Sequence, residues 1–284
     1  MIDVATNLVV AVLTGSAVVF SEMAQGIGDS IGSALLVVGE RRAARPRDAT
    51  HPLGYASEAF FWGLLSAVIM LVIGGGLSAW RGYEQLVNPQ PLESPWLALG
   101  VLSLAIATNG YAVSLSLRKL AAEAGSFRAI FANHNRPLVK GALIRDMIGT
   151  FTSVLGLLAL LFYYTLDMLI FDAIGALVAA GCMAVGSIFL IAQARALIAG
   201  RALPDSEIEG LREAILADAD IEALNYLAAI YAGGSEVLID ADLDLSETLD
   251  TNQIEVVLDK LEHRVRAYLP ETERVWVNLN SEDR

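Results

Sequence analysis

Residues 17–38 read AVVFSEMAQGIGDSIGSALLVV, an apolar run of membrane-spanning length that nevertheless holds Glu22, Gln25 and Asp29. Crossing about 30 Å of hydrocarbon takes roughly 20 residues of helix. A charged side chain at mid-membrane costs about 3 kcal/mol even on insertion scales, so a chain that keeps one uses it to handle an ion or a proton. A second such acid, Asp146, lies deep in the apolar stretch from Val139 to Tyr163. These two carboxylates set the reading of everything around them.

Further spans are expected at Phe60 to Trp80, Trp96 to Leu117 and Leu169 to Leu190, giving five full crossings with the two above. Ile2 to Leu13 is apolar but too short to cross alone, and Thr14-Gly15-Ser16 reads as a tight connection after it. We read it as a sixth helix, shortened at its start. It lacks a basic flank and a clear cleavage site, so it is expected to belong to the fold rather than to act as a signal peptide.

Basic residues set the expected orientation. Arg41, Arg42, Arg45 and Arg47 follow the second helix, Arg118, Lys119, Arg128, Arg136 and Lys140 lie between the fourth and fifth, and Arg195 and Arg201 follow the sixth. By the positive-inside rule these loops are cytoplasmic, and an even number of helices puts both termini there. The opposite loops carry Glu84, Glu93 and Asp167 with Pro89, Pro91 and Pro95.

Composition agrees. The 284 residues are 55% hydrophobic with a net charge of −13, too apolar for an average soluble protein and too acidic for a nucleic-acid binder. From Pro204 onward there are 20 acidic and 6 basic residues, against 12 and 13 before it, so the charge sits in the tail. The expected domains are therefore a transmembrane domain over residues 1–203 and a soluble one over residues 204–284. The single cysteine, Cys182, allows neither a disulfide framework nor a thiolate metal cluster and reads as packing.

In the tail, Asp205 to Ala217 shows helical spacing of Ile208, Leu211, Ala214 and Ile215. Ile221 to Ala232 and Glu236 to Leu243 read as a hairpin about Gly233-Gly234-Ser235, Asp250 opens a second helix, and Val275, Val277 and Leu279 alternate in a last strand. The order αββαβ predicts a small open-faced sandwich. Asp240, Asp242 and Asp244 share one strand face, which reads as solvated rather than metal-binding.

Gly15-Ser16-Ala17, Ser21 to Ser30, His51-Pro52-Leu53-Gly54-Tyr55, Phe61-Trp62, Gly74-Gly75-Gly76 through Tyr83 to Asn88-Pro89, and Asp172-Ala173-Ile174-Gly175 together resemble the cation diffusion facilitator family. The likeness covers nearly the whole chain. It implies a membrane all-α six-helix domain with an α+β ferredoxin-like cytoplasmic domain, a homodimer in the inner membrane, and efflux of a divalent cation against protons. The metal is then substrate, with no permanently bound cofactor and no nucleic-acid partner. A membrane enzyme is the rival from another class, and no Ser/His/Asp set, HExxH run or nucleotide-binding glycine loop supports it. The resemblance also implies a further half-helix and a cytoplasmic tail upstream of the first helix.

Carried over position by position, the family's second-helix pair becomes Gln25 and Asp29, with Glu22 a turn earlier on the same side. In the fifth helix Arg145 stands where a subgroup has glutamate, Asp146 is kept, and Gly149 stands where a ligand is usual. Asn109, before Gly110-Tyr111, replaces a glutamate of the fourth helix. The expected metal residues are Asp29, Asp146 and Gln25, with Glu22, Asp48 and His51 as accessory candidates and Arg145 and Asn109 as modifiers. His51 also reads as a structural loop residue, and His134 and His263 as surface ones.

An all-oxygen site of this kind suits Mn²⁺, Fe²⁺ or Mg²⁺ better than Zn²⁺ by ligand hardness, whereas the family points to zinc, iron or manganese. Protons compete for the same lone pairs, which couples the two ions. Arg145 leaves two alternatives open. Its permanent charge forms an internal ion pair that replaces the metal, or it turns about 100° from Asp146 and leaves the two aspartates facing each other. The first alternative would suit a relative that does not transport and acts as a structural or regulatory partner.

Overall fold

The computed structural model describes residues 2–124, 137–233 and 236–279. Arg128, Arg136 and His134 lie outside the described residues. Those described fall into two compact units, one of helices up to Arg195 and one that combines Ala43–Glu58 with the chain from Ala196 onward.

The helical unit runs α1 (Ile2–Thr14), α2 (Ala17–Ala43), α3 (Glu58–Val87), α4 (Pro95–Ala124), α5 (Pro137–Leu166) and α6 (Ile170–Ile198). Among the described residues α3, α4, α5 and α6 are long and apolar enough to cross a membrane. At 27 residues α2 has the length, but Glu22, Gln25 and Asp29 lower its apolar character. The residues that single α2 out functionally are thus the ones that weaken its reading as a span.

Gly15 joins α1 to α2 with φ of +70°, a conformation only glycine adopts without strain, while its N–H closes α1 on the Ala11 carbonyl. Helix α2 then starts with its backbone N–H groups aimed at a carboxylate from another helix. Asp172, fully buried at the start of α6, accepts from the Ser16 hydroxyl at 2.6 Å, the Ala17 N–H at 2.8 Å and the Val18 N–H at 3.2 Å. Orphan donors and the positive end of the helix are satisfied together.

Midway along α3, Met70–Gly76 winds as a π-helix containing Gly74-Gly75-Gly76. The segment brings α3 backbone against α2, where Met70 Cα lies 3.6 Å from the point a Cβ on Gly28 would occupy. One buried cluster joins Val18 and Val19 of α2 to Leu102 of α4, Leu160 of α5 and Ala176 of α6, and a second joins Met70, Ala179 and Met183. Outward-facing Phe61, Leu104, Phe151 and Val185 are exposed, a pattern that a hydrocarbon surrounding would cover.

The second unit contains α7 (Asp205–Leu216), β1 (Ile221–Gly233), β2 (Glu236–Leu245), α8 (Thr251–Tyr268) and β3 (Thr272–Leu279). Strand β2 is central, antiparallel to β1 and parallel to β3. Val237, Ile239, Ala241 and Leu243 of β2 are buried with Leu211 and Ile215 of α7 and Val257, Leu261 and Val265 of α8. On the opposite sheet face Tyr226 and Trp276 are exposed, and Asp240 accepts from Asn278 at 3.2 Å. Asp250 starts α8 through a capping box with Gln253.

Candidate metal centre

Helical spacing places Glu22, Gln25 and Asp29 along one side of α2, and Arg145, Gly149, Thr152 and Ser153 along one side of α5. These two faces meet. Thr152 donates its hydroxyl to Gln25 Oε1 at 2.8 Å, next to the buried Glu22 one turn earlier on α2, and Ser153 donates to the Gly149 carbonyl at 2.9 Å. From α4, the Asn109 amide donates to Ser153 Oγ at 3.0 Å. The absent side chain of Gly149 matters here, since Gln25 Nε2 lies 2.7 Å from where its Cβ would stand.

One turn along, Arg145 Nε lies 3.6 Å from Asp29 Oδ1, and Arg145 Nη2 donates to Ser33 Oγ at 3.3 Å. Of the two rotations open to α5, the structure takes the one that turns Arg145 toward Asp29. Asp146, about 100° further round, faces α4 and accepts from the Ser116 hydroxyl at 2.7 Å.

The Asp29 Oδ1 atom is buried and has no hydrogen-bond donor among the described residues; its charge partner sits just beyond hydrogen-bonding distance. Asp29 as a side chain is 34% exposed, against 13% for Arg145. It opens onto a cavity of about 170 Å³ between α1, α2 and α4, lined by Asn7, Glu22, Gln25, Asp29, Thr108 and Asn109. Among the described residues no three His, Cys, Asp or Glu side chains gather closely enough to hold a metal. A cation here would draw on carboxylate and amide oxygens together.

The other candidates stand apart from this constellation. Asp48 accepts from the Thr50 N–H and hydroxyl and the His51 N–H on one oxygen, and from the Tyr55 hydroxyl on the other. Those bonds hold its carboxyl well below the usual aspartate range. The His51 ring stacks on Tyr55 with centroids 4.1 Å apart, so the loop uses both residues for its own shape. His263 Nδ1 lies 2.9 Å from the Asp259 carbonyl on an exposed face of α8.

Sequence reasoning did not single out Thr152, Ser153, Ser116 or Ser33. A signal existed for the first two, which share the helical face of Arg145 and Gly149. None existed for Gly149 as a space-maker, because the glutamine that fills it is remote in sequence.

Residues 3–198 match the cation efflux transmembrane domain. The chain is 27% identical over 269 residues to the proton-coupled zinc antiporter SLC30A9, mitochondrial, of Xenopus laevis, covering 90% of this chain and 47% of that protein. It is 24% identical over 237 residues to the Homo sapiens protein of the same name, covering 82% and 42%. To metal tolerance protein C4 of Arabidopsis thaliana it is 26% identical over 237 residues, covering 82% and 52%. The chain thus spans about half the length of the curated relatives it matches. With the matched domain covering all six helices of the first unit, the chain belongs to the cation efflux, or cation diffusion facilitator, family.

Proposed function

We propose that the protein is a multi-pass membrane transporter that moves a divalent metal cation out of the cytoplasm in exchange for protons, through a modified intramembrane site. The observation that carries this is Asp29, a carboxylate that has a buried, donor-free oxygen and lines a cavity inside the apolar helix bundle together with Glu22, Gln25 and Asn109. In this reading α1 to α6 are six transmembrane helices of a domain over residues 1–203. Residues 204–284 form a ferredoxin-like cytoplasmic domain, both termini are cytoplasmic, and the chain works as a homodimer in the inner membrane.

Asp29, Gln25 and Asp146 are the metal residues, with Glu22 at the cavity wall. The zinc named for the relatives favours Zn²⁺, and the oxygen-only donor set favours Mn²⁺ or Fe²⁺. The Asp48 and His51 loop is structural in this reading. A second reading, a relative without transport that serves as a structural or regulatory partner, is favoured by Arg145 resting on Asp29 and Gln25 occupying the space beside Gly149.

Proteoliposome flux decides between them. Zn²⁺, Mn²⁺ and Fe²⁺ uptake under an imposed proton gradient is expected for the wild type and is expected to be lost in Asp29→Ala. Wild-type vesicles no leakier to any of the three metals than empty ones would leave the partner reading.

A further inference from the structure

Past Asp29, the face of α2 continues with Gly32 and Ser33, three and four residues on, which in a helix is one turn away on the same side. The Arg145 guanidinium lies along this turn with contacts at each position. Its Nε faces Asp29 Oδ1, its Nη2 donates to Ser33 Oγ, and its Nη1 lies 3.3 Å from where a Cβ on Gly32 would stand. Ser66 Oγ of α3 lies 2.5 Å from that same point, so nothing larger than glycine fits at position 32 without something shifting. A charged end, a bare middle and a hydroxyl end make a seat matched to a flat, forked cation.

The shape also accounts for arginine rather than lysine. A guanidinium presents several donors in one plane and stays protonated at every relevant pH, whereas an ammonium is a compact point charge that readily changes protonation state when buried. The charge sum has a consequence for binding. With Arg145 seated, its charge offsets that of Asp29; with it displaced, Asp29 offers a full negative charge to whatever replaces it.

We infer that Arg145 is a tethered counter-cation seated in the cradle formed by Asp29, Gly32 and Ser33, so that a divalent ion reaches Asp29 only by displacing it, and that Arg145 thereby sets the cation specificity of the site. This rests on the transport reading for its physiological meaning, though the competition itself is a binding property. Metal binding becomes an exchange of one cation for another on the same carboxylate. Ions that outcompete a guanidinium are selected, and weakly binding ones are refused.

The test uses the full chain in detergent, with Mn²⁺ and Zn²⁺ binding followed by calorimetry in the wild type, Arg145→Met, Arg145→Ala and Gly32→Ala. Arg145→Met is expected to bind Mn²⁺ about tenfold or more tightly than the wild type, because the resident competitor is gone. Gly32→Ala keeps every charge but crowds the seat, and is expected to shift affinity the same way by a smaller factor. Millimolar guanidinium chloride is expected to weaken Mn²⁺ binding to Arg145→Ala, whose seat is empty, and to leave the wild type unchanged. Equal or weaker metal affinity in Arg145→Met and Gly32→Ala, or no guanidinium competition in Arg145→Ala, overturns the inference, as does absence of Mn²⁺ and Zn²⁺ binding in all four proteins. Tighter binding in the variants with no flux in vesicles would sink the transport reading and leave this one standing; flux in the wild type with unchanged affinities in the variants would do the reverse.

Discussion

Gln25 of α2 fills the volume that a side chain at Gly149 of α5 would take, its Nε2 lying 2.7 Å from that Cβ position while its Oε1 is held by Thr152. At the two positions where the family resemblance leads one to expect ligands, this chain carries an amide and a glycine, and the amide occupies the space the glycine leaves. Gly149→Ala adds about 1 kcal/mol of helix propensity but pushes Gln25 off Thr152, a hydrogen bond of similar worth. The single variant is expected to be near neutral, and the same change in a Gln25→Ala background to stabilise by about 1 kcal/mol. Thermal unfolding of the four proteins in one detergent measures the coupling; strictly additive effects would show that the two residues do not share the space.

Asp172 is expected to matter for folding and not for the cation. Asp172→Ala strands the Ser16 hydroxyl and the Ala17 and Val18 N–H groups, buried donors worth about 1–3 kcal/mol each when left unmet. A loss of about 3–5 kcal/mol in all is expected after relaxation, with Asp172→Asn in between because one acceptor oxygen survives. Melting temperature in detergent reads this out. An Asp172→Ala protein as stable as the wild type would mean that α2 needs no such cap.

The Asp48 loop has a pH dependence with a definite sign. A carboxyl whose folded pKa is lowered adds order above the ordinary aspartate value of 3.8 and loses it as the pH falls through the lower folded value. The Asp48 side-chain carboxyl carbon resonance is thus expected to change little down to pH 4 and to show its main transition only in stronger acid. Thr50→Ala with Tyr55→Phe removes the two hydroxyl donors and is expected to shift the transition upward toward the ordinary value. A wild-type midpoint near the ordinary value would rule the network out.

Much of the fold was legible because each element carries its own periodic signal. The long apolar runs located α3 to α6, and the alternation Val237, Ile239, Ala241, Leu243 gave β2 its buried face. Helix ends were less legible: α3 runs to Val87 and α6 to Ile198, beyond the apolar windows, because polar residues continue a helix past the hydrocarbon without breaking it. The π-wound Met70–Gly76 left no periodic trace, since glycine has no side chain to show a change of winding. At the site, sequence named Asp29, Gln25 and Arg145 but left the rotation of α5 open. Adjacent Arg145 and Asp146 point about 100° apart, and only the packing of α5 between α2 and α4 decides which of them faces Asp29.

The Asp172 carboxylate fastens the beginning of α6 to the beginning of α2, while α4 and α5 lie along each other and share the Ser116 to Asp146 and Asn109 to Ser153 bonds. Between these two pairs run three polar links of a different kind: Arg145 to Asp29, Arg145 to Ser33 and Thr152 to Gln25. Any rocking of one pair against the other leaves the outer rivets in place and tears this central seam. In the exchange inferred above, an ion arriving at Asp29 would unpick the first stitch of this seam.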